Sequence, residues 1–332
     1  MMPHRAFQWC AAAMALAAIP LGSQSSPGTS PNASAGSVVH AGMGDVTDTV
    51  FNVARNGVID ITVRSGRLVV RGSDRSTAEL RANGSDYQVR SSGVSVTLAV
   101  AESNGRRFGA RALSGRDSDE PDIGLLVPRG VHLVINGRSA DVSVTDVVGG
   151  VEVHLQSGDV ALDSLGGRVI VETISGDVSV NGNISDLRVT TVGGDVVARG
   201  IRGNAEVHTT SGEVSLAVER AEQVVVDAVS GDIEFDGSLS DRARLQFTTH
   251  SGDVMLRLPE SAGGQLDVST YNGDVSGGAM TLMPSSDSRV RGARDDHATR
   301  HYEFGGGGSA RINVSTYSGD VVVRRGARRR IE

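Results

Sequence analysis

Apolar residues alternate with polar ones along most of the chain, on both sides of a recurring Ser-Gly-Asp-Val signature. With the signature glycine as position zero, apolar side chains occupy positions −7 and −5 and then +2 and +4. Around Gly176, Val169 and Val171 hold the first two positions. Val178 and Val180 hold the last two. Alternation with a period of two indicates a β-strand with one buried face, so each unit predicts two short strands joined at a Gly-Asp corner.

The corner signature returns at a nearly fixed interval, with successive glycines 18, 18, 18, 19, 21, 21 and 46 residues apart. We expect glycine there because the turn needs a positive φ, and we expect the next residue to bond nearby backbone amides, as in an Asx-turn. The predicted corner residues are Gly158, Asp159, Gly176, Asp177, Gly194, Asp195, Gly212, Glu213, Gly231, Asp232, Gly252, Asp253, Gly273, Asp274, Gly319 and Asp320.

This fixed period predicts stacked coils, because a single unit cannot bury its apolar face alone whereas a stack of units can. The fold class is therefore all-β, a single-stranded parallel β-helix (solenoid) with roughly 18–21 residues per coil. Each coil should pair with the next one along the chain, about 4.8 Å away. An up-and-down sandwich is the alternative, and it would need hairpin turns such as Asn-Gly between strands. The same offsets around Gly66 and Ala140 extend the repeat upstream.

The start of the chain predicts export. Residues 1–21 are basic and then apolar, the pattern of a secretory signal peptide, and residues 22–44 are rich in Ser, Pro, Gly and Asn, which predicts a disordered linker. Cys10, the single cysteine of the chain, lies in the predicted signal, so no disulfide is expected. We therefore expect a location in the periplasm, in the cell envelope or outside the cell, with no integral membrane domain after cleavage.

The repeat domain is predicted to cover residues 45–326. Two charged segments interrupt the pattern and are predicted to be exposed loops, at 102–121 and 276–309. The last residues, 327–332, form a basic tail. We expect the basic end of the chain to keep the open edge of the last coil from pairing with another molecule.

Composition narrows the class of partner. The net charge of −7 argues against nucleic acid as a ligand. Only 3% of the residues are aromatic, while 43 are glycine, as expected for a core of stacked valines with many corners.

Three segments carry a resemblance to a known family. They are residues 126–134 (LVPRGVHLV) ahead of the serial Ser-Gly-Asp-Val units, the late Leu258-Pro259 pair, and the Gly-rich run before Ala310. Together they resemble the bacterial putative-adhesin domains of unknown function, over about residues 46–325. The resemblance implies an exported β-helix-like fold with no established enzymatic activity. It supplies no catalytic residues.

The column of corner carboxylates raises the question of a metal. Calcium-binding β-rolls repeat Gly-Gly-x-Gly-x-Asp at both turns, whereas this chain has one Gly-Asp per coil, so we expect backbone-capping residues, not ligands. His297 and His301 are four residues apart but lack the Glu of a zincin. The sequence therefore predicts no metal and no cofactor.

A second column pairs histidines with carboxylates on adjacent coils. Stacking should bring His154 near Glu172 and His208 near Asp227. Such pairs are typical of a solvated face with cross-strand ion pairs, and they could also serve glycan hydrolysis or lyase chemistry.

Two residues before each corner glycine the chain is more apolar than a solvated face should be. We call five of these residues the corner strip: Ile174, Val192, Val229, Tyr271 and Tyr317. They could form an exposed binding surface, or they could fold over the corner into the core. The sequence thus predicts a non-catalytic exported β-helix with an adhesin-like surface for an envelope or extracellular protein or glycan. A polysaccharide-acting hydrolase or lyase on the same scaffold is the alternative.

Overall fold

The computed structural model of the chain describes residues 37–40, 47–82, 86–91, 95–101, 122–277, 283–284, 299–305 and 308–326. All of its regular elements are β-strands of one hydrogen-bonded sheet, so the all-β solenoid is confirmed. The predicted signal, the loop 102–121, the tail 327–332 and His297 lie outside the described residues.

The strands are numbered in chain order. Those of the N-terminal part are β1 (Ser37–His40), β2 (Thr47–Asn52), β3 (Val58–Ser73), β4 (Thr77–Ala82), β5 (Asp86–Ser91), β6 (Ser95–Ala101), β7 (Asp122–Pro128) and β8 (His132–Thr145). Those of the regular repeat are β9 (Val151–Ser157), β10 (Val160–Glu172), β11 (Val178–Thr191), β12 (Val196–Ser211), β13 (Val214–Ser230), β14 (Ile233–Ser251) and β15 (Val254–Leu258). Those of the C-terminal part are β16 (Gly264–Asn272), β17 (Val275–Ser276), β18 (Met283–Pro284), β19 (Thr299–Phe304), β20 (Ala310–Ser318) and β21 (Val321–Arg325).

In the regular repeat, each coil pairs in parallel with the next coil of the chain. Most of its strands are long because they run from one Gly-Asp corner to the next. Val169 of β10 lies opposite Leu187 of β11, and Thr190 of β11 lies opposite His208 of β12, so the register follows the sequence period of 18. Position by position, each coil therefore repeats the one beneath it.

The hydrophobic core is the inner surface of this stack. The alternating positions predicted to be apolar are buried, with Val169, Val171, Val178 and Val180 at most 1% exposed. Burying a side chain of this size stabilises the folded chain by about 1.5–3 kcal/mol. The core continues through all the coils as one cluster, and its aromatic pair is Phe235 against Phe247, with ring centroids 5.5 Å apart.

The expectation that every coil pairs with the next one in sequence is wrong at both ends. The last coil in sequence, β20 and β21, lies between the β14–β15 coil and the β16–β17 coil. The first coil in sequence, β3, likewise lies between the coil built from β6 and β7 and the coil of β8. Both of these coils therefore have hydrogen-bonded neighbours on each side over most of their length. The last coil is not at the end of the described stack, and β21 pairs with β17 only at Val321 and Val322.

Antiparallel strands cover the two outermost coils. At the N-terminal end, β5 pairs with β6 and β4 with β7, and these carry β1 and β2. At the C-terminal end, β19 pairs with β16 and carries β18. Two expectations change as a result: β1 lies within the predicted linker 22–44, and the predicted loop 276–309 contains β18 and β19. Such capping layers are what a stack of parallel coils needs, since its end edges would otherwise pair with other chains.

Candidate functional site

The corner glycines lie in one line along the stack. Apart from Gly273, the predicted corner glycines have φ between 112° and 152°, a region that side chains rarely adopt. Space is the second constraint, because a Cβ on Gly176 would lie 2.1 Å from the carbonyl oxygen of Gly158. Gly273 meets only this second constraint, with a Cβ position 2.0 Å from the carbonyl oxygen of Gly319.

Apart from Glu213 and Asp274, the corner carboxylates accept a hydrogen bond from the backbone of the neighbouring coil, unlike the Asx-turn expected from the sequence. The backbone N–H of Asp177 donates to Oδ1 of Asp159 at 3.0 Å, and that of Asp195 donates to Oδ1 of Asp177 at 2.9 Å. The same bond joins Asp320 to Asp253 and Asp274 to Asp320, which follows the spatial order of the coils. We call this series of bonds the aspartate ladder.

These bonds give the corner carboxylates a structural role. In the part of the chain that the structure describes, no group of three or more His, Cys, Asp or Glu residues is placed to hold a metal ion. Nδ1 of His301 lies 2.6 Å from Oδ1 of Asp267.

The corner strip lies on the surface. The exposed fractions are 54% for Ile174, 51% for Val192, 44% for Val229, 47% for Tyr271 and 49% for Tyr317. These side chains do not fold over the corner into the core. Since the residues just after them pair from coil to coil, the strip residues stack at the strand spacing of about 4.8 Å.

The C-terminal end of this column is aromatic. The ring of Tyr317 stacks on that of Tyr271, with the ring centroids 4.9 Å apart and an angle of 4° between the ring planes. The ring of His250 stacks on the other side of Tyr317, with a centroid distance of 4.8 Å and an interplanar angle of 10°. We call these three residues the aromatic ladder. The sequence pattern did not group His250 with these tyrosines, because Tyr271 and Tyr317 are consecutive in the repeat and only the intercalated last coil brings Tyr317 next to His250. The repeat does place His250 in the same column, since it is also two residues before a corner glycine, Gly252.

The histidine–carboxylate pairs lie on another column of the outer face. Nδ1 of His154 is 3.0 Å from Oε2 of Glu172. Nδ1 of His208 is 3.3 Å from Oδ2 of Asp227, and its Nε2 is 2.9 Å from Oε1 of Glu206. All of these groups are partly exposed.

His208 has the clearest electrostatic shift in this column. Its hydrogen bond to Asp227 is the main cause, with a further bond to Glu206, and together they overcome partial burial and raise the pKa of His208 from 6.5 to about 9. The same hydrogen bond lowers the pKa of Asp227, assisted by a bond from Thr248. At neutral pH the column therefore holds an imidazolium between two carboxylates, of which Glu206 is also paired with Arg188.

Within the described ranges, no helix is long and apolar enough to cross a membrane.

The comparisons with solved structures find chains of similar extent at low identity. A putative cell adhesion protein from Clostridium sporogenes is 10% identical, with 85% of this chain and 100% of that chain covered and a TM-score of 0.20. A putative adhesin from Bacteroides fragilis is 12% identical, with 84% and 97% covered and a TM-score of 0.32. A putative lipid binding protein from Parabacteroides distasonis is 10% identical, with 84% and 97% covered and a TM-score of 0.35.

Among curated proteins, none is similar enough in sequence to count as a relative. A family model, Toastrack DUF4097, matches residues 56–324. This range holds the stacked coils with their Gly-Asp corners, from β3 to the end of the repeat. The chain therefore belongs to the Toastrack DUF4097 family.

Proposed function

We propose that this protein is an exported, non-catalytic binding module that presents the corner strip to a protein or glycan of the cell envelope or its surroundings. The observation that carries the proposal is the exposure of apolar side chains in one column of an otherwise regular surface. A line of such side chains is the kind of feature that marks an interaction site.

The scaffold suits this role. Val229 lies on β13, and Ile174 and Val192 lie at the corners that directly follow β10 and β11. The inner faces of these strands are buried, so the positions of the three residues are fixed before a partner arrives. A preorganised surface loses little conformational entropy on binding. With the intervening Thr210, the column from Ile174 to the aromatic ladder is about 30 Å long at the strand spacing, which suits an extended partner.

The experiment compares binding of an envelope fraction to immobilised full-length chain and to strip variants. Val192→Asp and Ile174→Asp place a charge on the strip and should each reduce binding by roughly fivefold or more. Val148→Asp is the matched control, because Val148 is 55% exposed but lies outside the strip. Equal binding by all four proteins would reject the corner strip as the binding surface.

The enzyme alternative has its own test. The histidine–carboxylate column has a perturbed histidine, the kind of signal that can mark a catalytic group. His208 and Arg188 neutralise Asp227 and Glu206. The two described cavities do not include these four side chains, although they begin at Thr248, the neighbour of Asp227 on the next coil. We expect no reducing ends to be released from envelope glycans by the wild-type chain. Release that disappears in the His208→Ala, Asp227→Ala double variant would establish the hydrolase or lyase instead.

A further inference from the structure

A shallow groove lies beside the aromatic ladder, on the outer face of β14, β20 and β16. It consists of two adjoining cavities of about 330 and 320 Å³, which share Thr248, Ser269 and Ser315. These volumes are at the lower end of the range found for ligand sites. We call it the C-terminal groove.

The floor of the C-terminal groove is a regular array of polar side chains. Each of the three strands contributes one amide or carboxylate and, two residues later, one hydroxyl. The parallel register places them in two rows across the strands. The first row is Gln246, Asn313 and Asp267, and the second is Thr248, Ser315 and Ser269. Amides and hydroxyls both donate and accept hydrogen bonds, so the floor can match a ligand that offers both at short intervals.

The aromatic ladder forms one side of the groove. His250, Tyr317 and Tyr271 line the second cavity. Because these rings stack on one another, they present a continuous aromatic edge beside the polar floor. Tyrosine combines an apolar ring with a hydroxyl, which suits a ligand that has both C–H and O–H groups on its surface.

The charge and the backbone geometry of the groove further limit the classes of ligand that it can bind. Asp267 is the one carboxylate among the described residues that line the two cavities, and His301 pairs with it. The described residues of the lining include no arginine, and the one carboxylate already bonds His301, so the site offers little to attract an ionic ligand. Backbone N–H and C=O groups of β14, β20 and β16 pair with each other in the sheet, so the groove offers a peptide no strand edge to extend.

We propose that the C-terminal groove binds a neutral oligosaccharide, whose hydroxyls bond the two polar rows and whose ring C–H groups lie against the aromatic ladder. The inference rests on the proposed function and specifies it, since it assigns one ligand class to one end of the corner column. It needs no covalent step.

The test is isothermal titration of the full-length chain with neutral hexasaccharides of glucose, mannose, xylose and N-acetylglucosamine, followed by tyrosine fluorescence. We expect at least one to bind. Tyr317→Ala and Asn313→Ala should each raise its Kd by roughly fivefold or more, because each removes an exposed groove contact. Thermal melts of both variants should match wild type, since Tyr317 and Asn313 point outward from β20.

Two controls separate this proposal from the one on which it rests. Val192→Asp lies on the corner strip away from the groove, and it should leave saccharide binding unchanged while it reduces envelope binding. Oligogalacturonate is the acidic comparison and should bind more weakly than the neutral sugars. No saccharide binding, preference for the acidic chain, or insensitivity to Tyr317→Ala and Asn313→Ala would each overturn the groove proposal. In any of these cases, envelope binding that still depends on Val192 would leave the proposed function standing.

Discussion

At the scale of single residues, the corners explain why the repeat tolerates so little variation at one position. The glycines combine a left-handed φ with a close approach to the carbonyl oxygen of the coil beneath. At Gly194 these are a φ of 112° and a Cβ position 2.2 Å from the oxygen of Gly176. The sequence predicted the first constraint from turn chemistry. The second depends on the distance between coils, which only the stack defines.

Gly194→Ala should therefore lower the free energy of unfolding by roughly 2–4 kcal/mol, the combined cost of backbone strain and a displaced coil. Chemical denaturation measures it. The control is the adjacent Gly193→Ala, where the nearest atom to the new Cβ is Oγ of Ser211 at 3.8 Å. We expect that variant to stay within about 0.5 kcal/mol of wild type. Equal losses at both positions would contradict the stacking constraint.

His208 makes stability depend on pH. Because its pKa is about 9 in the folded chain and 6.5 when unperturbed, the folded state holds the proton more tightly. The stabilisation is complete below pH 6.5 and is lost as the pH rises through about 9. The pKa of Asp227 is lowered in the folded chain, so its contribution to the free energy of unfolding is complete above its ordinary pKa of 3.8. That contribution is lost as the pH falls through the lower pKa of the folded state.

We therefore expect the melting temperature of wild type to fall between pH 6.5 and 9.5 by more than that of His208→Gln. Asp227→Asn should flatten the curve in the same way, because it removes the main cause of the shift. Nuclear magnetic resonance titration of the His208 ring gives the pKa directly. Parallel curves for wild type and His208→Gln would show that the pair does not contribute.

At the scale of elements, the aspartate ladder ties each corner to the next. It runs from Asp141 to Glu213 and again from Asp232 to Asp274. The series stops where Glu213 replaces aspartate, because the extra methylene moves its carboxylate away from the amide of the following coil. The sequence predicted carboxylates that bond backbone amides. It assigned those amides to the same turn, since the period shows which residues are stacked but not which way a corner side chain points.

Glu213→Asp should restore the missing bond, with the backbone N–H of Asp232 as donor. We expect a gain of about 0.5–1.5 kcal/mol in the free energy of unfolding and slower hydrogen exchange of the Asp232 amide. Glu213→Gln keeps the long side chain without the charge and should leave that exchange rate unchanged. An unprotected Asp232 amide in Glu213→Asp would rule out this cause of the interruption.

At the scale of the whole molecule, the order of the coils in space differs from their order in the chain. The long interval of 46 residues between Gly273 and Gly319 was the one sequence sign of irregularity there. It predicted a loop, whereas the chain uses it to build a capping strand and return one coil deeper into the stack. The consequence for function is the aromatic ladder, which exists only because Tyr317 lies between His250 and Tyr271.

Engineered disulfides test this order. Arg311 lies opposite both Arg244 and Gln265, whereas those two are two strands apart. In a Cys10→Ser background, the pair Arg244→Cys, Arg311→Cys should oxidise readily, because neighbouring strands bring Cα atoms within disulfide range. The pair Arg244→Cys, Gln265→Cys should not form a disulfide, because their Cα atoms are about 9–10 Å apart. Mass spectrometry of the oxidised proteins detects which disulfide forms. A disulfide between positions 244 and 265, and none between 244 and 311, would show that the coils stack in sequence order.

The sequence by itself determined the coil, because burial of alternate side chains and the demands of a tight corner are local properties repeated at a fixed period. It therefore defined the strands, the inward columns around Val169 and Val178, and the corner residues. Only the tertiary structure decided which coils are neighbours at the two ends, since identical coils are equally good partners by pattern alone. That choice brought His250, Tyr317 and Tyr271 together and created the C-terminal groove.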